Sequence, residues 1–454
     1  MSEITIQQLL DAHPSPVRAL RTLPFSIPGS AGEFVYEYSN WKSEQISWVE
    51  TAALLDLSFH MTDVVIEGPE ALEFLTTLAV NSFTKFPIGV AKQFITVSAE
   101  GFMVGDGILI RLGEEKFHLI GDGGLTSWVR FHIETSGKNI TMDVDYGHFD
   151  GSAPVLFRYQ VQGPNAQAVV EAATGAPAPD LKFFHTTTIQ IAGTDVLALR
   201  HGMAGQPGYE LSGPWANHTA VRKALLEAGA ELGLTEVGHF AYFSANLQGG
   251  WIATELPGVF TSESTRAYRE WAPFYFAGSM AGSFDSENIE DYYITPFELG
   301  YGRFIDFEHD FIGKEALQQR AEKGGHRQRV TLIWDDQSFA DVFGDLIRPE
   351  KGLPPQSITL HDASFALNQF DAVQADGKTI GFNVQSGYMA PDRRFISLAI
   401  IDAEYATPGT EVTLLWGDSL AIPRADAEPH RQVSIKVTVA PAPYAEYARN
   451  EYRK

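Results

Sequence analysis

Gly68-Pro69-Glu70-Ala71-Leu72-Glu73-Phe74-Leu75 follows the alternating run Asp63–Ile66, and about 95 residues later Val161-Gln162-Gly163-Pro164-Asn165-Ala166 repeats the same arrangement. Glycine closes a strand, the fixed φ of proline suits entry into a helix, and apolar residues at helical spacing come next. The repetition predicts two related α+β halves. Gln93–Val97 and Phe117–Ile120 read as further strands by their alternation. Ile312–Arg320 has helix-forming composition and runs into Glu322-Lys323-Gly324-Gly325-His326-Arg327, a glycine stop with basic residues that suit a helix C-terminus. The main boundary is therefore placed between residues 325 and 326. Beyond it, Val330–Trp334, Phe395–Ile401, Glu411–Trp416 and Gln432–Val439 alternate with turn clusters, the pattern of a small β-barrel or jelly-roll domain.

At ~150 residues per domain, 454 residues make two or three packed units with cores of their own. No apolar run approaches the ~18–20 residues needed to cross a bilayer. A formal charge of −24 repels phosphate backbones and anionic lipid, which excludes nucleic acid and membrane surface as general partners. The chain has no cysteine, so disulfides, thiolate zinc, iron–sulfur ligation and thiol nucleophiles are all excluded. Met1-Ser2-Glu3-Ile4 lacks the basic start and apolar stretch of a secretory signal, and a cytoplasmic location is expected. Residues 251 to 301 hold twelve aromatics in 51, about twice the chain average of 12%. Core packing is the ordinary reading of such a stretch; a wall or lid for a flat ligand is the sharper one.

Asp310-Phe311-Ile312-Gly313-Lys314-Glu315-Ala316-Leu317, preceded by Pro296-Phe297-Glu298-Leu299-Gly300, resembles the tetrahydrofolate-dependent aminomethyltransferase superfamily, that of the glycine-cleavage T-protein. Further landmarks stand in order: Leu55-Asp56-Leu57-Ser58-Phe59-His60-Met61 with Glu67-Gly68-Pro69, Gly101-Phe102-Met103-Val104-Gly105-Asp106, Gly205-Gln206-Pro207-Gly208-Tyr209-Glu210-Leu211, and Gln385-Ser386-Gly387 with Ala390-Pro391. The resemblance spans roughly residues 35 to 420. It implies an α+β, three-lobed fold, with two interleaved lobes in residues 1–325 and a C-terminal β-barrel in 326–454, and tetrahydrofolate as co-substrate without a metal. By the same resemblance Glu210 accepts two N–H donors from the pterin edge, a charge-assisted bidentate contact. Asp106, Tyr209 and Gln162 are expected at the folate, and Arg393 or Arg394 at its glutamate tail.

Where the amine-handling members carry a first aspartate this chain has Gly105, and Tyr242 and Gln248 stand where their Arg and Glu are expected. With Tyr36–Gln45, Asn81-Ser82-Phe83, Ala91-Lys92-Gln93-Phe94 and Gly250-Trp251-Ile252, this looks like the aryl O-demethylase branch. Its members, similar to vanillate, 3-O-methylgallate and syringate O-demethylases, pass the methyl of a lignin-derived methoxyarene to N5 of tetrahydrofolate. Departing phenoxide is basic, so the leaving oxygen needs a proton or a strong hydrogen bond, typically worth ~10²–10⁴ in rate. Tyr242 is the expected donor, its ordinary pKa near ~10 matching the phenol it would release. Ser244, Asn246 or His60 would orient its hydroxyl. A buried structural tyrosine and a core histidine are the competing readings. Tyr38 and Trp251 are candidate walls for the aromatic ring. Arg266, Arg269 and Arg303 are the cations on offer for a substrate carboxylate. Asp122, in the flexible turn Gly121-Asp122-Gly123-Gly124, would disfavour a benzoate if it faces the pocket and leave a neutral methoxyphenol. An aminomethyl or sulfonium donor, and a folate-binding protein without catalysis, are the alternatives. The sequence leaves the oligomeric state open.

Overall fold

The structure is a computed structural model that describes residues 4–23, 35–59, 61–146, 153–253, 255–361 and 367–451. One strand makes the first half discontinuous. β1 (Ala52–Asp56) pairs parallel with β11 (Leu234–Val237) and antiparallel with β7 (Leu156–Gln162). β10 (Gly208–Pro214), β9 (Thr194–Arg200) and β8 (Thr186–Ile191) complete a six-stranded sheet in the order β11-β1-β7-β10-β9-β8. Between β1 and β7 the chain builds a second, five-stranded sheet. Its order is β3 (Ala91–Val97), β4 (Met103–Arg111), β5 (Lys116–Gly121), β2 (Thr62–Glu67) and β6 (Thr141–Asp145). The two halves are thus interleaved through β1.

The repeated Gly-Pro segments leave β2 and β7 in the same way. Gly68 (φ +151°) and Gly163 (φ +124°) bring the backbone against a neighbouring carbonyl. A Cβ would lie 2.3 Å from the Asn139 oxygen at the first and 2.7 Å from the Thr51 oxygen at the second. Glycine alone fits both. The helices Ala71–Leu78 and Ala166–Thr174 follow.

Because side chains alternate across a strand, each sheet has a helix-covered face and an inner one. Phe157, Tyr159 and Val161 of β7 pack under the helices Ala166–Thr174 and His218–Gly229. Val64, Leu109, Phe117 and Leu119 pack under Ala71–Leu78 and Gly123–Ser136. The inner faces meet each other, with Ile110 and Ile120 of one sheet against Leu199 of the other. The polar residues Arg158, Gln160, Glu210, Asp63, His118 and Asp106 share those inner faces.

Six strands between Gln328 and Ala440 close into a barrel filled by Val330, Leu332, Trp334, Leu414 and Trp416. The aromatic-rich stretch is mainly core: Phe260, Tyr268, Tyr292 and Tyr293 join one apolar cluster with Met103 and Val104 of β4 and with Phe382 and Ile400 of the barrel wall. Phe276 packs on Gly123 at the start of the helix Gly123–Ser136. Among the described residues no helix is long and apolar enough to cross a membrane.

His132, on the helix Gly123–Ser136, stands edge-on to Trp128 with ring centroids 4.4 Å apart, and its Nε2 has no hydrogen-bond partner. Burial pushes its pKa down to about 4. Between an ordinary value near 6.5 and about 4, the unfolded chain takes up a proton that the folded chain refuses, so stability falls as pH falls through that window. His132→Gln is expected to lose less melting temperature between pH 7.5 and 5 than the parent, as thermal melts at several pH values would show.

Candidate active site

Arg158 organises the space between the sheets. Its guanidinium bonds Glu210 Oε1 on its own sheet and Asp63 Oδ1 on the other, and His118 Nε2 lies 2.5 Å from the same Asp63 oxygen. All four residues are buried. Burial alone would raise Asp63, but Arg158 and His118 outweigh it and hold the carboxyl below its usual range. Burial opposes the charge on Arg158 as well, and the two carboxylates more than restore it. Glu210 Oε2 has no hydrogen bond among the described residues. Gln160 stands directly across from Glu210 in the β7–β10 pair, and its Oε1 is buried without a partner. Two acceptors thus sit side by side, which fits the paired N–H donors of an aminopyrimidine edge.

Tyr242 ends the short helix His239–Tyr242 that follows β11. The helix is pinned at its start by buried Glu44, which accepts the N–H groups of Gly238 (2.9 Å), Tyr38 and Ser39 (2.8 Å each). The Tyr242 side chain is 6% exposed and lies within the field of Glu210 and Arg158. Burial, then Glu210, pushes its pKa far above the ordinary tyrosine value. The hydroxyl is therefore firmly protonated at neutral pH. Burial thus takes it away from the pKa match with a phenol that the sequence suggests. Ser244 does not orient it: Ser244 Oγ donates to the Ala241 carbonyl and accepts from Gln45 Nε2, each at 2.6 Å. Asn246 is likewise engaged, in a reciprocal pair with Gln385. His60 lies outside the described residues.

A second cluster adjoins the first. In the five-stranded sheet Ile108, Ile120 and Asp63 form one row, and Asp106 lies two residues along β4, roughly 7 Å of strand rise. Asp106 accepts from Tyr301 Oη at 2.9 Å and from Gln93 Nε2. Burial raises it to about 6, opposed by those donors and by the Trp251 indole, and Asp122 adds to the rise. Asp122 is not in a flexible turn. It caps the helix Gly123–Ser136, accepting from Leu125 N–H at 2.7 Å. Glu255, absent from the sequence-based candidates, completes the cluster. Gly258 N–H bonds the Met103 carbonyl at 2.7 Å, which lays the 255–259 segment along β4. Glu255 is raised well above its usual range by burial, then by Asp106 and Asp122. Its only sequence signal is an acid inside the aromatic-rich stretch.

The structure moves several other candidates elsewhere. Tyr209 neighbours Glu210 in sequence and so points to the opposite face, where it joins the helix-side core and donates to the Pro179 carbonyl at 3.3 Å. Gln162 Oε1 accepts from Met203 and Ala204 N–H, bracing the loop that leads into β10. Tyr38 lies on the outer side with Arg222 5.9 Å over its ring, away from the pocket it was expected to wall. Arg393 sits exposed at a hairpin tip (φ +51°), while Arg394 pairs with Asp336 at 3.0 Å. Arg269 is buried against the carbonyls of Val259 and Ser262, Arg266 pairs with Glu270, and Arg303 stacks on Phe304. None of these three stands beside Asp106 or Tyr242. Among the candidates, Tyr242 falls with Glu210, and Asp106 falls with Trp251 and Asp122; Arg158, Gln160, Tyr301 and Glu255 were missed.

The architecture is that of glycine-cleavage aminomethyltransferases. The chain superposes on the glycine cleavage system aminomethyltransferase T of Bartonella henselae with a TM-score of 0.63 at 19% identity, covering 91% of this chain and 92% of that one. Residues 32–255 match the GCVT N-terminal domain model. The chain is 42% identical to the syringate O-demethylase of Sphingobium sp. (strain NBRC 103272 / SYK-6), over 99% of this chain and 97% of that protein. It is 31% identical to the sesamin methylene transferase of Sinomonas sp. (strain No.22), over 95% of each, and 27% identical to an aminomethyltransferase of Exiguobacterium sibiricum. The chain belongs to the GCVT family and is a methyl-transferring enzyme of that group.

Proposed function

We propose that this chain is a tetrahydrofolate-dependent O-demethylase of methoxy-substituted aromatics, yielding 5-methyltetrahydrofolate and a phenol. The observation that carries the reading is the Tyr242 side chain buried beside Glu210 and Arg158. Folate, when bound, supplies N5 as the methyl acceptor. Glu210 Oε2 and Gln160 Oε1 would accept the pterin's N–H donors, with Arg158 holding Glu210 in place. As the aryl C–O bond breaks its electron pair goes to the oxygen, N5–C forms, and the proton shed by N5 balances the one the phenol gains. Tyr242 donates a hydrogen bond to that oxygen as charge builds on it, in a site where such a bond is worth more than in water. Asp106, which burial raises to about 6, is the group in this reading that could take up a proton. Arg393 remains the candidate for the folate's anionic tail.

The test is purified protein with tetrahydrofolate and a panel of guaiacol, syringol, vanillate, syringate and 3-O-methylgallate, followed by mass spectrometry. One 5-methyltetrahydrofolate per phenol released is expected. Release of ammonia from an amine donor, with no transfer from any methoxyarene, would replace this reading with the aminomethyl one.

A further inference from the structure

Asp106, Asp122 and Glu255 converge at one end of the inner sheet face without forming a metal-holding group among the described residues. The charged groups acting on Asp106 and Glu255 are other carboxyls. Arg329 of the barrel acts on Tyr301, the partner of Asp106. Two atoms in this cluster have no hydrogen bond of normal geometry among the described residues. Glu255 is 9% exposed and its Oε1 is buried without a hydrogen bond. The Trp251 Nε1–H is likewise buried without a bond of normal geometry, although the indole is near enough to Asp106 to favour its charged form. A donor and an acceptor are left waiting beside the carboxyls of Asp106 and Asp122.

Three kinds of ring substituent make different demands on such a place. A benzoate could take the Trp251 N–H, but it would set a fourth carboxyl among three in a medium that screens charge poorly. An ammonium would satisfy Glu255 and leave the indole N–H unused. A phenolic hydroxyl donates to Glu255 and accepts from Trp251, satisfying both without adding charge.

Resting on the O-demethylase reading above, we infer that the donor of this chain is an uncharged methoxyphenol carrying no ring carboxylate, its free hydroxyl held by Glu255 and Trp251. The syringate O-demethylase named above has a carboxylated ring in its name; on this inference the present chain differs from it in substrate charge. Glu255, Asp122 and Trp251 are then specificity-determining residues of the site.

The experiment compares rings that differ only in the carboxylate, syringol against syringate and guaiacol against vanillate, with the full chain and tetrahydrofolate. The neutral member of each pair is expected to have the higher kcat/KM by about 10–100-fold. Glu255→Gln should narrow the gap by weakening syringol, and Asp122→Asn, which keeps a helix cap, by admitting syringate. Syringate used as well as syringol or better would overturn the inference. Calorimetric titration of both rings into the chain with folate separates this claim from the one beneath it. Syringol binding without turnover of either ring would uphold the substrate class while the methyl-transfer reading fails. Preferential syringate binding, or binding of neither ring, would overturn the substrate class.

Discussion

Tyr242→Phe is expected to lower kcat/KM for the preferred methoxyarene by ~10²–10⁴, the range that a single positioned donor supplies when charge develops on a leaving oxygen. The ring of Tyr242 packs with Trp41, Leu55 and Ala241, and phenylalanine keeps that packing. The melting temperature should therefore move little, and folate affinity, which the proposed function gives to Glu210 and Gln160, should hold within a few-fold. Loss confined to turnover is the signature of an interaction made only as the C–O bond breaks. The raised pKa sharpens the expectation. A hydroxyl that resists ionisation stabilises phenoxide by hydrogen bonding and not by surrendering its proton, so the rate of the wild-type enzyme should show no titration near pH 10. Single-turnover formation of 5-methyltetrahydrofolate measures both. Near-normal turnover in the variant would remove Tyr242 from the mechanism, whereas a wild-type rate that falls with a tyrosine-like pKa near 10 would keep it there as a proton-donating acid.

Much of the fold can be read from the sequence because its strongest signals are local. The Gly68-Pro69 and Gly163-Pro164 segments mark strand exits where a side chain would strike a neighbouring backbone. The short apolar runs around Phe117 and Leu398 are strands buried on both faces, exposed only at their first residue. Site residues are harder to read, since sequence adjacency and spatial adjacency part company. Tyr209 and Glu210 are neighbours in the chain but emerge on opposite faces of β10, and the two-residue period alone would have excluded one of them. Ser244 sits two residues from Tyr242, yet a helical turn delivers its hydroxyl to the Ala241 carbonyl. The signal for Arg158 was present and unused: Phe157-Arg158-Tyr159-Gln160-Val161-Gln162 alternates apolar with polar residues in a strand whose polar face is buried against a second sheet. Glu255 could not have been placed, because its role depends on a segment crossing β4 that no periodicity announces.

Arg158→Met should destabilise the fold by about 3–5 kcal/mol, the range for removing one member of a buried ion-paired group. The arginine bonds two carboxylates that come from different sheets, so its loss strands Glu210 and Asp63 facing each other with only His118 left as a hydrogen-bonding partner. Methionine fills much of the volume, which assigns the loss to charge and not to a cavity. The pH dependence carries the distinguishing sign. In the wild-type protein Asp63 is held below its ordinary value, so its contribution is present above that value and lost as pH falls through the lower folded one. In the variant Asp63 loses the guanidinium that holds it down against burial and protonates in milder acid, which relieves its repulsion with Glu210. The stability gap between the two proteins should therefore be widest near pH 7–8 and shrink towards pH 4–5, as urea unfolding at each pH would reveal. Arg158→Lys, keeping the charge but only one prong, should fall between them. A gap independent of pH would mean that Arg158 acts as a spacer between the sheets, and the ionic positioning of Glu210 would then have to come from another group.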